Sequence, residues 1–330
     1  MILPGFPTSA VFTFHEFLAP VIRAFAGLAP ERRESVEATL PMRINSERGR
    51  TEYLLVGLVP TADGLAAYPM GKGSGSVTTF SGADGFITIG QHTEIVDAGQ
   101  TVQVQLLGQG LEPADLILIG SHCVGLDWLS GQLARRGVRI KTMSVGSTGG
   151  LMAAKRGECD VAGIHLMDPV TGTYNRPLIT DDLMLAPGYG RMQGIVFRPG
   201  DARFAGCDAA AAIAVARTAD DCAMVNRNAG SGTRIVIDRL LGGSMPPGYG
   251  VQTKSHNAVA VAVAQGRADW GVAIDTVARQ YGLGFIPVQE EHYDFVIPKR
   301  RADRPAVREF LALLDSADAR EALRALGFHP

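Results

Sequence analysis

The 330-residue chain carries 31 Lys and Arg against 33 Asp and Glu, a formal charge of −2, and no window concentrates its basic residues, which argues against a nucleic-acid surface. Its length exceeds what one core usually holds, so two or three domains are expected, and 46% hydrophobic residues mark a folded rather than a disordered chain. No apolar run is long enough for a membrane span.

The four cysteines, Cys123, Cys159, Cys207 and Cys222, lack both CxxC pairs and metal-ligand spacing, so free thiols in a reducing cytoplasm are expected. Pro4, Pro7, His15 and Glu16 interrupt the apolar N-terminus and no basic segment precedes it, which does not read as a signal peptide.

Residues 10–27 read as a helix capped by Thr8 or Ser9, with Val11, Phe14, Leu18, Val21, Ile22 and Phe25 near one face and a kink expected at Pro20. Alone it forms no domain, so it packs on the next module or on a partner. Residues 41–108 change to a strand period. Residues 52–59 and 101–107 alternate or run apolar, and Gly-containing turns recur between short strands, which reads as a small β-barrel or sandwich. The run 71–76 (GKGSGS) lacks P-loop spacing and reads as a surface turn.

Residues 109–330 alternate strands and helices. Strands are expected at 116–121, 138–145 and 159–165, with helices at 128–136 and from Leu151 onward. A second half starts near Gly194 with a helix at 209–216, then the apolar lead-in 222–225 and the loop Asn226-Arg227-Asn228-Ala229-Gly230-Ser231-Gly232-Thr233. Helices at 234–241 and 258–265, strands at 269–274, 285–288 and 293–298, and a last helix at 305–314 follow. This pattern gives two α/β lobes with a cleft between them.

The loop 226–233 has the composition of a helix N-terminus that takes an anion. It is equally the composition of a Gly-rich turn capped by Ser231 with its arginines solvated. Ser121, Ser147 and Thr148 follow strands and precede helices, where they either donate to a ligand or cap the helix. His165 ends a buried strand and is a core residue or a neutral donor to an oxyanion, and His256 sits at another helix start that faces the cleft or not. Arg234 reads as a solvated first-turn arginine. Asp168, Tyr174 and Asn175 rim the cleft or lie in plain loop. His122 and Asp127 make no convincing triad with Ser121, because no nucleophile-elbow glycines surround that serine.

Two resemblances organise these modules. Pro4-Gly5-Phe6-Pro7-Thr8-Ser9-Ala10, the Phe-His-Glu-Phe-Leu-Ala-Pro helix, Gly49-Arg50-Thr51-Glu52-Tyr53, Ala83-Asp84-Gly85 and residues 99–104 resemble, in serial order, the C-terminal part of the MoeA/gephyrin-type molybdopterin molybdotransferases. Phe6 stands where that family has Asn, and the family's catalytic nucleotide-binding domain has no counterpart upstream. Ile119-Gly120-Ser121, residues 160–165 and Asn226-Arg227 with Ser231-Gly232-Thr233 resemble the type II periplasmic-binding-protein fold, closest to tungstate/molybdate-binding proteins. Leu166 replaces that family's Ser.

The resemblances imply a multidomain chain. Residues 1–40 would match the end of MoeA domain III, 41–108 a MoeA domain IV-like β-barrel, and 109–330 a two-lobed α/β periplasmic-binding-protein-like domain. Lobe 1 would span about 115–192 and 290–330, and lobe 2 about 193–289. With the residue readings above they imply a cytoplasmic protein of molybdenum-cofactor biosynthesis that binds molybdate or tungstate for delivery or sensing, with Ser121, Ser147, Thr148, His165, Arg227, Ser231, Thr233 and His256 as the candidate ligand-binding residues, no catalytic residue, an oxyanion rather than a metal cation, and no certain cofactor. The alternatives are part of a molybdopterin molybdotransferase whose catalytic half lies elsewhere, and a sensor of a pterin or other organic ligand. The implied partners are the oxyanion, molybdopterin-synthesis proteins or a separately encoded MoeA N-terminal half, and a second copy in a homodimer, with neither nucleic acid nor membrane.

Overall fold

The structure, a computed structural model, describes all residues except 1, 6, 31–33, 71–79, 81, 109–113, 169, 170, 230 and 254. Phe6, the GKGSGS run and Gly230 therefore lie outside the described residues. Contacts divide the chain into two units: Met1–Ile117 with Lys141–Ser144 and Arg156–Cys159, and Leu118–Ile140 and Val145–Lys155 with Asp160–Pro330.

The N-terminal helix is not continuous. Pro7–Thr13 and Ala19–Phe25 are α-helical, and Phe14–Leu18 between them is a π-helical turn. Pro20 has no N–H to give and its ring crowds the carbonyl one turn back, so the backbone widens just before it. Phe12 then stacks on Tyr53 at 5.2 Å and meets Phe86 edge-on at 4.9 Å, which docks the helix on the strands that follow.

Those strands are β1 (Ser35–Thr39), β2 (Ile44–Asn45), β3 (Glu52–Thr61), β4 (Gly64–Pro69), β5 (Gly85–Ile89), β6 (Ile95–Val96) and β7 (Thr101–Leu106). A closed barrel runs in the order β1-β4-β3-β5-β7, and β2 pairs with β6 as a separate ribbon. Every barrel pairing is antiparallel except the β1–β4 closure at Thr39↔Ala66. The period of two in β3 decides what each side chain meets. Leu54, Val56 and Leu58 fill the interior with Leu40, Ala67, Ile87 and Val104, while Leu55 turns outward onto Phe12 and Phe86.

The rest of the chain holds β8 (Leu116–Gly120), β9 (Ile140–Ser144), β10 (Ala162–Ile164), β11 (Leu183–Phe197), β12 (Met224–Arg227), β13 (Gln252–Thr253), β14 (Trp270–Ile274) and β15 (Gly284–Pro298). Helix starts lie earlier than the sequence pattern places them: Val124–Arg135, Gly146–Arg156, Gly232–Leu241 and His256–Ala264. The glycine- and serine-rich segment 146–150 is thus a first helical turn rather than a loop.

The larger departure concerns β11 and β15, each fifteen residues long, where the sequence shows short strands separated by polar residues. They pair antiparallel from Leu183↔Pro298 to Phe197↔Gly284, with register shifts at Ala186/Tyr189 and Gln193/Gly194. At one end β15 pairs with β10, at Ala162↔Val296. At the other end β11 pairs with β14, from Gln193↔Ile274 to Phe197↔Trp270, and β12 and β13 add in parallel. One six-stranded sheet, mixed rather than wholly parallel, therefore carries both lobes, with β11 and β15 running from one to the other.

In the second lobe, helices Ala209–Thr218 and Gly232–Leu241 cover one face through Ile213, Ala216, Ile237 and Leu241 around Trp270. Val259 and Val263 of His256–Ala264 pack in a second core with Val196, Val225 and Ala273. The chain then returns to the first lobe, where Phe310 of helix Pro305–Leu314 meets Phe295 at 5.0 Å. All four cysteines are free. Among the described residues no helix is long and apolar enough to cross a membrane.

Candidate functional site

The polar residues of β11 and β15 fall in the middle of those strands, where they leave one lobe for the other. Arg191 and Glu291 are direct cross-strand partners, and alternation puts Gln193 on the same face as Arg191. Glu291 is wholly buried. One of its oxygens accepts from Arg191 Nε, and the other accepts from Gln193 Nε2 and lies 3.1 Å from His165 Nδ1. The Arg191 guanidinium lies 5.1 Å from the Tyr293 ring centroid and reaches Cys123 Sγ at 3.4 Å.

From the first lobe, His165 follows β10. Its backbone N–H donates to Ser147 Oγ at 3.1 Å, and Ser147 sits in the first turn of helix Gly146–Arg156. Its Nε2 is 2.9 Å from Ser121 Oγ. Ser121, just past β8, is held by its own N–H to the Gly163 carbonyl at 2.8 Å and by a hydrogen bond from the Tyr293 hydroxyl to its carbonyl. Leu166 and the residues after it are pinned through buried Asn175, whose Oδ1 accepts from Leu166 N–H at 2.7 Å and whose Nδ2 donates to Asp294 at 2.7 Å.

From the second lobe, β12 ends at Arg227 and helix Gly232–Leu241 begins five residues later. Arg227 is 6% exposed, and its Nη1 lies 3.5 Å from Thr233 Oγ1 and 3.2 Å from His256 Nδ1. Ser231 stands at the N-cap but makes no side-chain cap bond; Ser255 does cap its helix, accepting from Ala258 N–H at 3.1 Å. Arg234 is not a solvated arginine. It pairs with Asp238 at 2.8 Å and donates to Tyr249 Oη at 2.6 Å and to the Arg227 carbonyl at 3.1 Å, bracing the loop from behind. Gly232 is where the two lobes meet: a Cβ there would lie 2.9 Å from the His165 carbonyl oxygen, so glycine is required for the approach.

The electrostatics follow from burial. Burial opposes ionisation of Glu291, but the charge of Arg191 and the hydrogen bond from His165 outweigh it and hold the carboxyl far below the usual range. Burial, with help from Arg191 and Arg227, pushes His165 down against the pull of Glu291. Burial, then Arg227 and Arg191, pushes His256 well below its ordinary value. Burial, reinforced by Arg191 and partly offset by Glu291, brings Arg227 down to about 10. At neutral pH these side chains present two guanidinium groups, one carboxylate and two uncharged imidazoles, a net of one positive charge in a buried place.

The proton positions are then constrained. An ionised carboxylate only accepts, so the neutral His165 carries its proton on Nδ1 and its Nε2 accepts from the Ser121 hydroxyl. Arg227 only donates, so His256 accepts on Nδ1 and keeps Nε2–H. The row Glu291–His165–Ser121 has the order of a hydrolase triad. However, both Glu291 oxygens are also held by Arg191 and Gln193, which leaves the imidazole a weak base fixed in one tautomer.

Six of the eight sequence candidates thus lie in this part of the protein: Ser121, Ser147, His165, Arg227, Thr233 and His256. Ser231 is half-buried and its hydroxyl finds no partner among the described residues, while Thr148 is exposed. Sequence reasoning missed Arg191, Gln193 and Glu291. The signal available was charge at alternate positions in strand-like stretches, but Gln289-Glu290-Glu291-His292 reads as a polar loop until its pairing is known. Among the described residues no group of three or more His, Cys, Asp or Glu side chains is placed to hold a metal ion.

Residues 130–315 match the family described as a PBP superfamily domain, and residues 37–107 match the MoeA C-terminal region (domain IV). The uncharacterized protein YvgK of Bacillus subtilis is 31% identical over 177 residues, half of this chain and 56% of that protein, so the chain spans little more than half of that relative's length. A proposed substrate-binding protein of a phosphate ABC transporter from Clostridium perfringens, solved with bound phosphate, is 10% identical with a TM-score of 0.53 over 65% of this chain and 98% of its own. It shares the fold. The tungstate-binding protein TupA from Desulfovibrio alaskensis is 15% identical with a TM-score of 0.45, over 63% of this chain and 92% of its own.

Proposed function

The chain belongs to the PBP superfamily through residues 130–315 and carries a MoeA C-terminal region at residues 37–107, and from that premise we propose that its two-lobed half binds a small, fully ionised oxyanion, molybdate or tungstate, for delivery or sensing in molybdenum-cofactor synthesis. The observation that carries this reading is Arg227: a buried guanidinium just before a helix start, flanked by the buried hydroxyl of Thr233 and by His256. Such a place is stabilised by an anion that accepts hydrogen bonds from guanidinium, hydroxyl and helix N–H donors together.

Ser121 and Ser147 approach from the first lobe and Arg227, Thr233 and His256 from the second. Binding between them draws on both lobes and is accompanied by closure about β11 and β15. The role in cofactor synthesis is supported by the MoeA C-terminal region on the same chain. Calorimetric titration with molybdate, tungstate, sulfate and phosphate tests the reading. Saturable heat with molybdate or tungstate at micromolar concentrations is expected, and absence of heat with all four rejects it.

A further inference from the structure

The Ser121 hydroxyl has one proton, and the structure shows where it goes. Glu291 holds the proton of neutral His165 on Nδ1, so Nε2 accepts and Ser121 spends its proton on it. Towards a ligand, Ser121 then offers only lone pairs, and a fully ionised oxyanion also offers only lone pairs. Both cannot be satisfied unless a proton is added. We propose that capture of a dianionic oxyanion is coupled to uptake of one proton by His165, which makes Nε2 a donor and frees the Ser121 hydroxyl to donate to the anion.

This rests on the oxyanion reading above and deepens it. Charge balance gives the same answer. Arg191, Arg227 and Glu291 together sum to one positive charge; a dianion brings two negative charges, and a proton on His165 offsets one of them, as burial of charge favours. The groups facing His165 are Glu291 and Tyr293 from β15, Arg191 from β11, Ser121 after β8, Ser147 from helix Gly146–Arg156, and Arg227, Gly232 and His256 from the second lobe. The two arginines oppose protonation of His165, and an incoming dianion offsets them. His256 is the poorer acceptor, because its Nδ1 is already occupied by Arg227.

The sign follows. Where His165 is neutral in the free protein and charged in the complex, affinity falls as pH rises, by about tenfold per pH unit at full coupling. The test is titration of the full chain with tungstate, which has no protonation of its own at neutral or alkaline pH, in buffers of different ionisation enthalpy. Above the ordinary histidine range the expected result is net uptake of up to one proton per tungstate, with Kd rising by up to about tenfold per pH unit. The His165→Gln variant is expected to bind with no proton uptake. Tungstate binding by the wild-type chain without proton uptake, or uptake that persists in His165→Gln, overturns the proton coupling and leaves the oxyanion reading standing. No heat with any oxyanion at any pH overturns the reading beneath it.

Discussion

The barrel and the two-lobed unit bury different things. Among the described residues of 1–117 no charged side chain is buried, and the core is Leu40, Leu54, Val56, Leu58, Ala67, Ile87 and Val104. The two-lobed unit buries His165, Arg191, Gln193, Arg227, His256 and Glu291. A barrel held by apolar contact needs no ligand to be at rest. Buried charges are expensive unless compensated, and this unit holds Arg191, Arg227 and Glu291 together out of water. The difference sets the buried charge in the two-lobed unit and leaves the barrel's core to stability.

Four experiments strain that contrast, from the largest effect downward. Leu58→Ala in the barrel core should lower unfolding free energy by about 2–5 kcal/mol while leaving tungstate affinity unchanged; a parallel loss of affinity would remove the division of labour. Arg227→Gln should do the opposite, raising the tungstate Kd about 100-fold, roughly 2.7 kcal/mol, with an unchanged circular dichroism spectrum. A variant that binds normally would place the ligand elsewhere.

The third experiment follows stability against pH. His165 and His256 are both held below their ordinary value of 6.5 in the folded protein. The stability associated with keeping each neutral is fully present above the unfolded value and is lost as pH falls below it, at about 1.4 kcal/mol per pH unit for each histidine until its folded pKa is reached. Denaturant midpoints of the ligand-free protein should therefore fall from pH 7 towards pH 5, and saturating tungstate should relieve part of that fall. A flat profile would mean that the two imidazoles titrate as freely as surface ones. The smallest effect is expected from Gly232→Ala. Its Cβ would press on the His165 carbonyl and weaken tungstate binding by about 1 kcal/mol, close to fivefold. Unchanged affinity would show that the lobes do not meet along this seam when ligand is bound.

The loop between β12 and the next helix was legible because its chemistry is local. A strand, a turn and a helix start within ten residues put Arg227 and Thr233 together whatever the rest of the chain does, and Ser121 and Ser147 stand at other strand–helix junctions that local pattern also marks. Arg234 was misplaced because its partners, Tyr249 and the Arg227 carbonyl, are set by how the loop folds back. The strands β11 and β15 were each cut short because Arg191, Gln193, Glu290, Glu291 and His292 look like surface residues. Polarity marks a loop only when the groups have no partner inside.

The amino-acid sequence by itself determined the order of the modules and the donor-rich loop, since periodicity, turn residues and helix starts depend on neighbours along the chain. Only the tertiary structure decided that Arg191 and Glu291, 100 residues apart, would pair at the passage between lobes, and that Glu291 would orient His165 and through it Ser121. Strand pairing over such distances is set by register and burial, and no local pattern records it. The proton state of the serine, the property that governs what it offers a ligand, is fixed at the far end of that chain of contacts.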